Sequence, residues 1–216
     1  NFYGTTGCCL KIMAIDKTAV IGFPVDHSLS PIIHNHWIKE LALDIKPYEK
    51  LNVDPNMFKE QINNLKAEGF GGINVTVPLK ELAFNISDET SNVSKKLRSA
   101  NTLTLSSDKI NADNTDAVGF INSLDKKTIE ENITNKKTLV LGAGGSARSV
   151  VHALNELGSQ VRLFNRTPEK AAILLNDLSI NSSPVSAEEL DDYANSSSFI
   201  VNTTSLGQKE GEHNNI

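Results

Sequence analysis

The chain has 216 residues, 39% of them hydrophobic, with a formal net charge of −5 and a pI near 5.6. It is long enough for one large domain or two small ones with real cores, and its acidic balance leaves no basic footprint for nucleic acid. No apolar run approaches the roughly 20 residues of a membrane-crossing helix, Lys11 in its polar setting makes no secretory signal, and adjacent Cys8 and Cys9 give neither a disulfide framework nor a metal spacing, so a soluble cytoplasmic protein is expected.

Residues 1–16 read as a leader, with a natural start expected at Met13. A β-branched strand spans 18–22 and leads through a loop into a helix, with Ser30 as N-cap, Pro31 in the first turn, and Ile33, Trp37 and Leu41 as the buried stripe. Residues 48–53 read as a second strand, and 55–68 as a helix with Phe58, Ile62 and Leu65 inward and Gly69 ending it. A third strand at 71–77 is stopped by Pro78, with a short helix following from Leu79. Next come a polar helix over 88–97, short strands at 101–105 and 109–111, and a helix over 114–124 burying Ala117, Ile121 and Leu124.

Residues 138–141 then form an apolar strand that breaks into Gly142, Ala143, Gly144, Gly145, Ser146 and Ala147, after which Val150, Val151, Leu154 and Leu157 recur at helical spacing. Glycines in such a turn allow positive φ and close approach, and the free amides of the helix start suit a phosphate. The spacing fits the dinucleotide fingerprint that ends in alanine; a plain structural turn or a methyltransferase loop would look similar, whereas a Walker loop is excluded because no Gly-Lys-Ser/Thr follows.

The strand over 160–164 ends in Asn165, Arg166 and Thr167, where an NAD enzyme would place a carboxylate for the ribose. Arg166, with Lys170 one turn along, favours the 2′-phosphate of NADP and counts against a methyltransferase. Thr167 is placed to cap a helix from Pro168. A strand over 198–203 runs into the turn Asn202 to Gly207, with Thr203 and Thr204 near the expected nicotinamide end. Strand and helix alternation on both sides of the chain predicts parallel α/β sheets.

In the first half, Ser28, Ser30, Asn74, Thr76, Lys80, Asn101 and the run Asn114, Thr115 and Asp116 fall at predicted strand ends or helix starts, where ligand sites of open α/β sheets gather. Asn74 and Thr76, two apart, share one strand face. Lys80 sits in a first helical turn, where the dipole disfavours a cation, and Asp116 in another, where a carboxylate is favoured. If they meet across a cleft they form an acid/base pair. Taken singly, Ser30 reads as a helix cap, Lys80 as a surface lysine, Asn74 as a sheet edge, Asn101 as a turn and Asp116 as a helix start. His27, His34, His36, His152 and His213 have no metal spacing, and no metal is expected.

The segments HSLSPIIHN (27–35), GINVTVPLK (72–80), ANTL (100–103), DNTD (113–116), GAGGSAR (142–148) and NRT (165–167), in this order, closely resemble the shikimate dehydrogenase family. The resemblance runs from about residue 18 to Gly207. It implies an α/β protein with an N-terminal α/β substrate-binding and catalytic domain at 17–112 and an incomplete Rossmann-like NADP-binding domain at 113–216. The implied reaction is reversible reduction of 3-dehydroshikimate to shikimate with NADPH, in a cytoplasmic monomer or homodimer with no nucleic-acid or membrane partner.

On this resemblance Ser28 and Ser30 hold the substrate carboxylate. Thr76, Asn101 and Asp116 hold its hydroxyls together with Lys80, Asn74 stands behind them in support, and Lys80 and Asp116 are the catalytic pair. The cofactor falls to Gly142–Ala147, Asn165, Arg166, Thr167, Lys170, Thr203 and Thr204. Ala112 and Ala117 stand where the family often has glycine, and Gln208 where it often has methionine. The family's later tyrosine and glutamine, which contact substrate from a C-terminal segment, have no match here. An NAD-using quinate/shikimate dehydrogenase and a non-catalytic NADP-binding regulator are the alternatives.

Overall fold

A computed structural model describes residues 16–204 and 206. The expectations placed on Cys8, Cys9, Met13, Gly207, Gln208 and His213 lie outside the described residues. In chain order the first half holds β1 (Lys17–Gly22), α1 (Ser30–Glu40), β2 (Glu49–Asn52), a short turn of 3₁₀ helix at Pro55–Met57, α2 (Phe58–Ala67), β3 (Phe70–Val75), α3 (Lys80–Ile86), β4 (Glu89–Thr90), α4 (Asn92–Leu97), β5 (Thr102–Leu105) and β6 (Ile110–Asp113). The second half holds α5 (Asp116–Asn122), α6 (Lys126–Thr128) running into a π-turn at Ile129–Ile133, β7 (Lys137–Leu141), α7 (Gly145–Glu156), β8 (Gln160–Phe164), α8 (Pro168–Asp177), α9 (Leu190–Ser196) and β9 (Phe199–Asn202).

The first sheet has the order β2-β1-β3-β5-β6-β4. Every strand in it points the same way except β5, which is antiparallel to both neighbours because a tight turn, Ser106 N–H to Lys109 C=O at 3.0 Å, joins it to β6. The expected all-parallel sheet is therefore mixed here. The second sheet, β8-β7-β9, is wholly parallel. The reversal of β5 has a functional consequence: the residue before its start, Asn101, lies at the same sheet edge as the C-terminal ends of β1, β3 and β6.

Two apolar cores hold these layers. Phe58, Ile62 and Leu65 of α2 pack with Ala19, Ile21, Ile73, Val75 and Leu103 on one face of the first sheet. In the second core, Ala147, Val150, Val151 and Leu154 of α7 meet Val140, Val161 and Leu163, with Ala171, Leu174 and Leu175 of α8. Burying an aliphatic side chain of this size stabilises by roughly 1.5–3 kcal/mol, so these clusters account for most of what fixes the sheets.

Several expectations are corrected. In α1, Ile33, Trp37 and Leu41 are 47%, 51% and 66% exposed. The side that faces the sheet is instead Pro31, His34, Asn35 and Ile38, which has proper helical spacing but polar members that a hydrophobic reading passes over. Ser30 is the first helical residue and caps nothing; Leu29 occupies the cap position without a side-chain bond. The polar segment 88–97 is split, because Asp88 accepts the Ile110 N–H at 2.8 Å and Glu89–Thr90 pair with β6 before Ser91 caps α4 through the Ser94 N–H at 3.1 Å. Of the expected stripe in α5 only Ala117 is fully buried, Ile121 and Leu124 being partly so. Thr167 holds the cap position of α8, but its side chain makes no capping bond. Thr76 lies one residue beyond β3 and begins the following turn, its C=O accepting the Leu79 N–H at 2.9 Å.

Candidate active site

Three chain crossings converge at the edge described above. The Thr76–Lys80 turn leaves β3 and is tied to β1 by the Thr76 N–H to Ile21 C=O bond at 2.9 Å, while Phe23 N–H reaches Val77 C=O at 3.1 Å. Gly22 is needed at this point because a Cβ there would meet Thr76 Cγ2 at 2.6 Å. The Lys80 C=O accepts the Ala100 N–H at 2.9 Å, which fixes the start of α3 against the approach to β5. Asn114 is 3% exposed; its Nδ2 donates to Ser99 C=O at 3.1 Å and its Oδ1 accepts the Asp116 N–H at 3.0 Å, which fixes the start of α5.

These constraints bring Lys80 and Asp116 together. Lys80 Nζ donates to Asp116 Oδ2 at 2.6 Å, with the two side chains 14% and 28% exposed. The other carboxylate oxygen, Oδ1, accepts from Asn101 Nδ2 at 2.7 Å. Asn101 also donates to Thr115 Oγ1 at 2.9 Å and accepts the Thr115 N–H at 3.1 Å. Lys80 is thus no solvated surface lysine, and Asn101 is more than a turn residue. A paired ammonium in a partly desolvated setting can stabilise a developing oxyanion and donate a proton to it.

Around this pair the other candidates take graded places. Asn74 sits one step back, its Oδ1 accepting the Tyr48 hydroxyl at 2.7 Å and its Nδ2 facing Thr102 Oγ1 at 3.4 Å. Ser28 and Ser30 close the loop after β1, Ser28 Oγ accepting the Ser30 N–H at 3.3 Å. Among the described residues no hydrogen bond joins Ser28, Ser30 or the Thr76 side chain to Lys80 or Asp116. Sequence reasoning misses Tyr48; Thr102 and Thr115 lie inside the ANTL and DNTD segments, but no role is read for either from the sequence.

The glycine turn forms a second candidate site. Gly142 has φ +102°, and a Cβ there would meet Thr203 Oγ1 at 2.8 Å. A Cβ on Gly144 or Gly145 would meet nothing within 4 Å, so the start of α7 faces open space. A cavity of about 400 Å³ lies there, lined by Gly142, Ala143, Gly144, Asn165, Arg166, Thr203 and Thr204 among others. Among the described residues no carboxylate lines it. Arg166 is exposed at its rim and makes no salt bridge among the described residues. This set fits a dinucleotide: room for a pyrophosphate at free helix amides, and a cation in place of the ribose-binding acid.

Asn165 spends its side chain as a brace, Oδ1 accepting the Ala143 N–H at 3.1 Å and Nδ2 donating to Thr167 C=O at 2.8 Å. Thr203 Oγ1 likewise donates to Leu141 C=O at 2.7 Å. Ala147 is fully buried in the core, so only its backbone could serve a ligand. Gly145, Ser146, Thr167 and Lys170 lie outside the cavity lining, Ser146, Thr167 and Lys170 being exposed beside it. Among the described residues no cluster of three or more His, Cys, Asp or Glu is placed to hold a metal, and no helix is long and apolar enough to cross a membrane.

Comparison with known proteins gives two family matches: residues 20–103 to the shikimate dehydrogenase substrate binding domain, and residues 123–209 to shikimate / quinate 5-dehydrogenase. The NADP(+) shikimate dehydrogenase of Methylocella silvestris is 37% identical over 196 residues, spanning 91% of this chain and 70% of that protein. The crystal structure of shikimate dehydrogenase from Aquifex aeolicus superposes with a TM-score of 0.82 at 37% identity, covering 92% of this chain and 72% of that one. Shikimate 5-dehydrogenase from Thermus thermophilus, solved in complex with NADP(H) and shikimate, gives 0.75 at 32% identity, covering 89% and 69%. With the same two units in the same order and these identities over nine-tenths of its length, the chain belongs to the shikimate dehydrogenase family.

Proposed function

We propose that this protein is an NADP-dependent oxidoreductase that reversibly reduces 3-dehydroshikimate to shikimate, a step of aromatic amino acid biosynthesis, as a cytoplasmic monomer or homodimer. The observation that carries the reading is the Lys80–Asp116 pair at 2.6 Å on the shared sheet edge, in a chain whose other half has a glycine-turn cavity lined by no carboxylate among the described residues. We assign residues 17–112, joined by Asp116 from the start of the second unit, to substrate binding and catalysis, and the rest of residues 113–216 to the cofactor.

NADPH, when bound, supplies the hydride. Lys80 holds its ammonium at the ketone oxygen, stabilises the charge that develops there and gives up a proton to it. Asp116 holds Lys80 aimed, and Asn101 fixes Asp116 from the opposite oxygen. In shikimate oxidation the same proton returns to neutral Lys80. Ser28 and Ser30 bind the substrate carboxylate, and Thr76, Asn101 and Asp116 orient its ring hydroxyls, with Asn74 behind them. Gly144, Gly145, Ser146 and Ala147 offer free backbone amides to the pyrophosphate, while Gly142 and Ala143, whose N–H groups are taken by Phe164 C=O and Asn165 Oδ1, shape the turn. Arg166 and Lys170, next to Asn165 and Thr167, meet the 2′-phosphate, and Thr203 and Thr204 border the nicotinamide.

The test mixes shikimate, then quinate, with NADP and with NAD, and follows the reduced nicotinamide absorbance. Reduction of NADP by shikimate ahead of the other three mixtures is expected. A preference for quinate or NAD, or silence in all four, overturns the assignment for this chain.

A further inference from the structure

Tyr48, only 5% exposed, is held more firmly than its place before an edge strand requires. A single side-chain amide satisfies both of its backbone groups: Asn35 Oδ1 accepts the Tyr48 N–H at 2.7 Å and Asn35 Nδ2 donates to the Tyr48 C=O at 3.0 Å. The His34 ring stacks on the phenol ring, centroids 4.2 Å apart and 8° from parallel. His34 and Asn35 thus spend the inward side of α1 on one tyrosine. The hydroxyl so placed donates to Asn74 Oδ1 at 2.7 Å. Burial pushes the phenol's ionisation up, so it stays a proton donor at any working pH.

The orientation of the Asn74 amide follows. Its other end faces the Asn101 C=O at 3.5 Å and Thr102 Oγ1 at 3.4 Å, and a backbone carbonyl can only accept, so that end is the NH₂. Both contacts are at the outer limit of hydrogen bonding, which leaves the NH₂ unsaturated and free to serve another oxygen. Beyond it, Thr102 Oγ1 donates to Asn101 Oδ1 at 3.0 Å, and Asn101 holds Asp116.

We infer that Tyr48 is a positioning residue for substrate recognition: its hydroxyl fixes the Asn74 amide so that the NH₂, and not the carbonyl, is offered to a hydroxyl or ketone oxygen of the substrate. This rests on the functional reading above, moves Asn74 from support behind the binding residues to contact with the substrate, and adds a residue, Tyr48 with its His34–Asn35 clamp, that touches neither substrate nor cofactor. Tyr48→Phe keeps the ring stack and the Asn35 clamp and removes one donor.

Calorimetric titration of shikimate and, separately, of NADP tests the inference in the unaltered chain, in Tyr48→Phe, in Asn74→Ala and in the double variant. Loss of this hydrogen bond should weaken shikimate binding about tenfold in Tyr48→Phe. NADP affinity should stay within about twofold, and adding Tyr48→Phe to Asn74→Ala should cost shikimate affinity less than about twofold, because the hydroxyl acts through Asn74. Unchanged shikimate affinity in Tyr48→Phe overturns the inference, as does an equal loss with and without Asn74 or a matching loss of NADP affinity. If the unaltered chain binds NADP but no shikimate, the functional reading itself fails, and this inference with it.

Discussion

Lys80 carries its charge at 14% exposure, and a single carboxylate compensates it. A buried ion pair gains little net stability over apolar packing, which agrees with the chemical role proposed for this one. Lys80→Ala is expected to lower kcat by about 100-fold or more, the usual worth of a general acid, with a much smaller change in KM. Steady-state kinetics with shikimate and NADP check this, and near-normal turnover would remove Lys80 from the chemistry. Arg166→Ala should weaken NADP binding by roughly 10- to 100-fold, the worth of a charge-assisted bond, and leave NAD binding alone. Equal losses for both dinucleotides, read by fluorescence titration, would contradict a phosphate role. Gly142→Ala puts a methyl group 2.8 Å from Thr203 Oγ1 at φ +102°. A loss of roughly 1–3 kcal/mol of stability is expected, read from denaturant melts.

Helix α1 shows how an element can be positioned by polar work. His34, Asn35 and Ile38 face inward, and the imidazole of His34 is held below its ordinary value of 6.5 by burial. His152, on α7, is lowered too, first by burial and against the pull of Glu156. A group whose folded-state pKa is depressed contributes stability above its unfolded value and loses it as pH falls. The protein should therefore lose melting temperature as pH drops below 6.5. His34→Phe, which keeps a ring to stack on Tyr48, should melt with a shallower dependence in that range. A parallel decline in both proteins would show that His34 does not carry the effect.

The two cores are joined where Leu97 of α4, Ala117 of α5 and Ala153 of α7 pack together. Beside that contact, Arg148 of the GAGGSAR segment donates from Nη2 to Asp177 Oδ2 at 2.9 Å, and Arg98, beyond α4, lies 3.9 Å from Asp177 Oδ1. Arg148 is 11% exposed and its Nη1 has no partner among the described residues, so Asp177 is its main compensation. Asp177→Ala should cost about 3 kcal/mol in denaturant unfolding, as expected when one member of a buried pair is removed. Arg98→Ala, removing a 65% exposed partner, should change stability little. Equal effects would mean that Arg98, and not Arg148, carries the stabilisation Asp177 provides.

Local pattern was enough wherever the deciding interactions lie within a few residues. The β-branched run of β1, the apolar stripe of α7 and the stripe Phe58, Ile62 and Leu65 of α2 are each written in one stretch, because burial selects their period directly. The glycine turn and the acid-free end of β8 were legible in the same way, since helix-start amides and a missing carboxylate are properties of short segments. The inward side of α1, the break at Glu89–Thr90 and the reversal of β5 were not. Each depends on a partner far along the chain: Tyr48 for Asn35, Ile110 for Asp88, and both β3 and β6 for β5. Motif residues could name Lys80 and Asp116, but the 2.6 Å between them exists only because the β5 reversal, the Ala100 bond to Lys80 and the Asn114 bracket bring three separate crossings to one edge. Periodicity records which side of an element is apolar; hydrogen bonds between distant segments decide where polar side chains meet, and those are fixed only when the sheet closes.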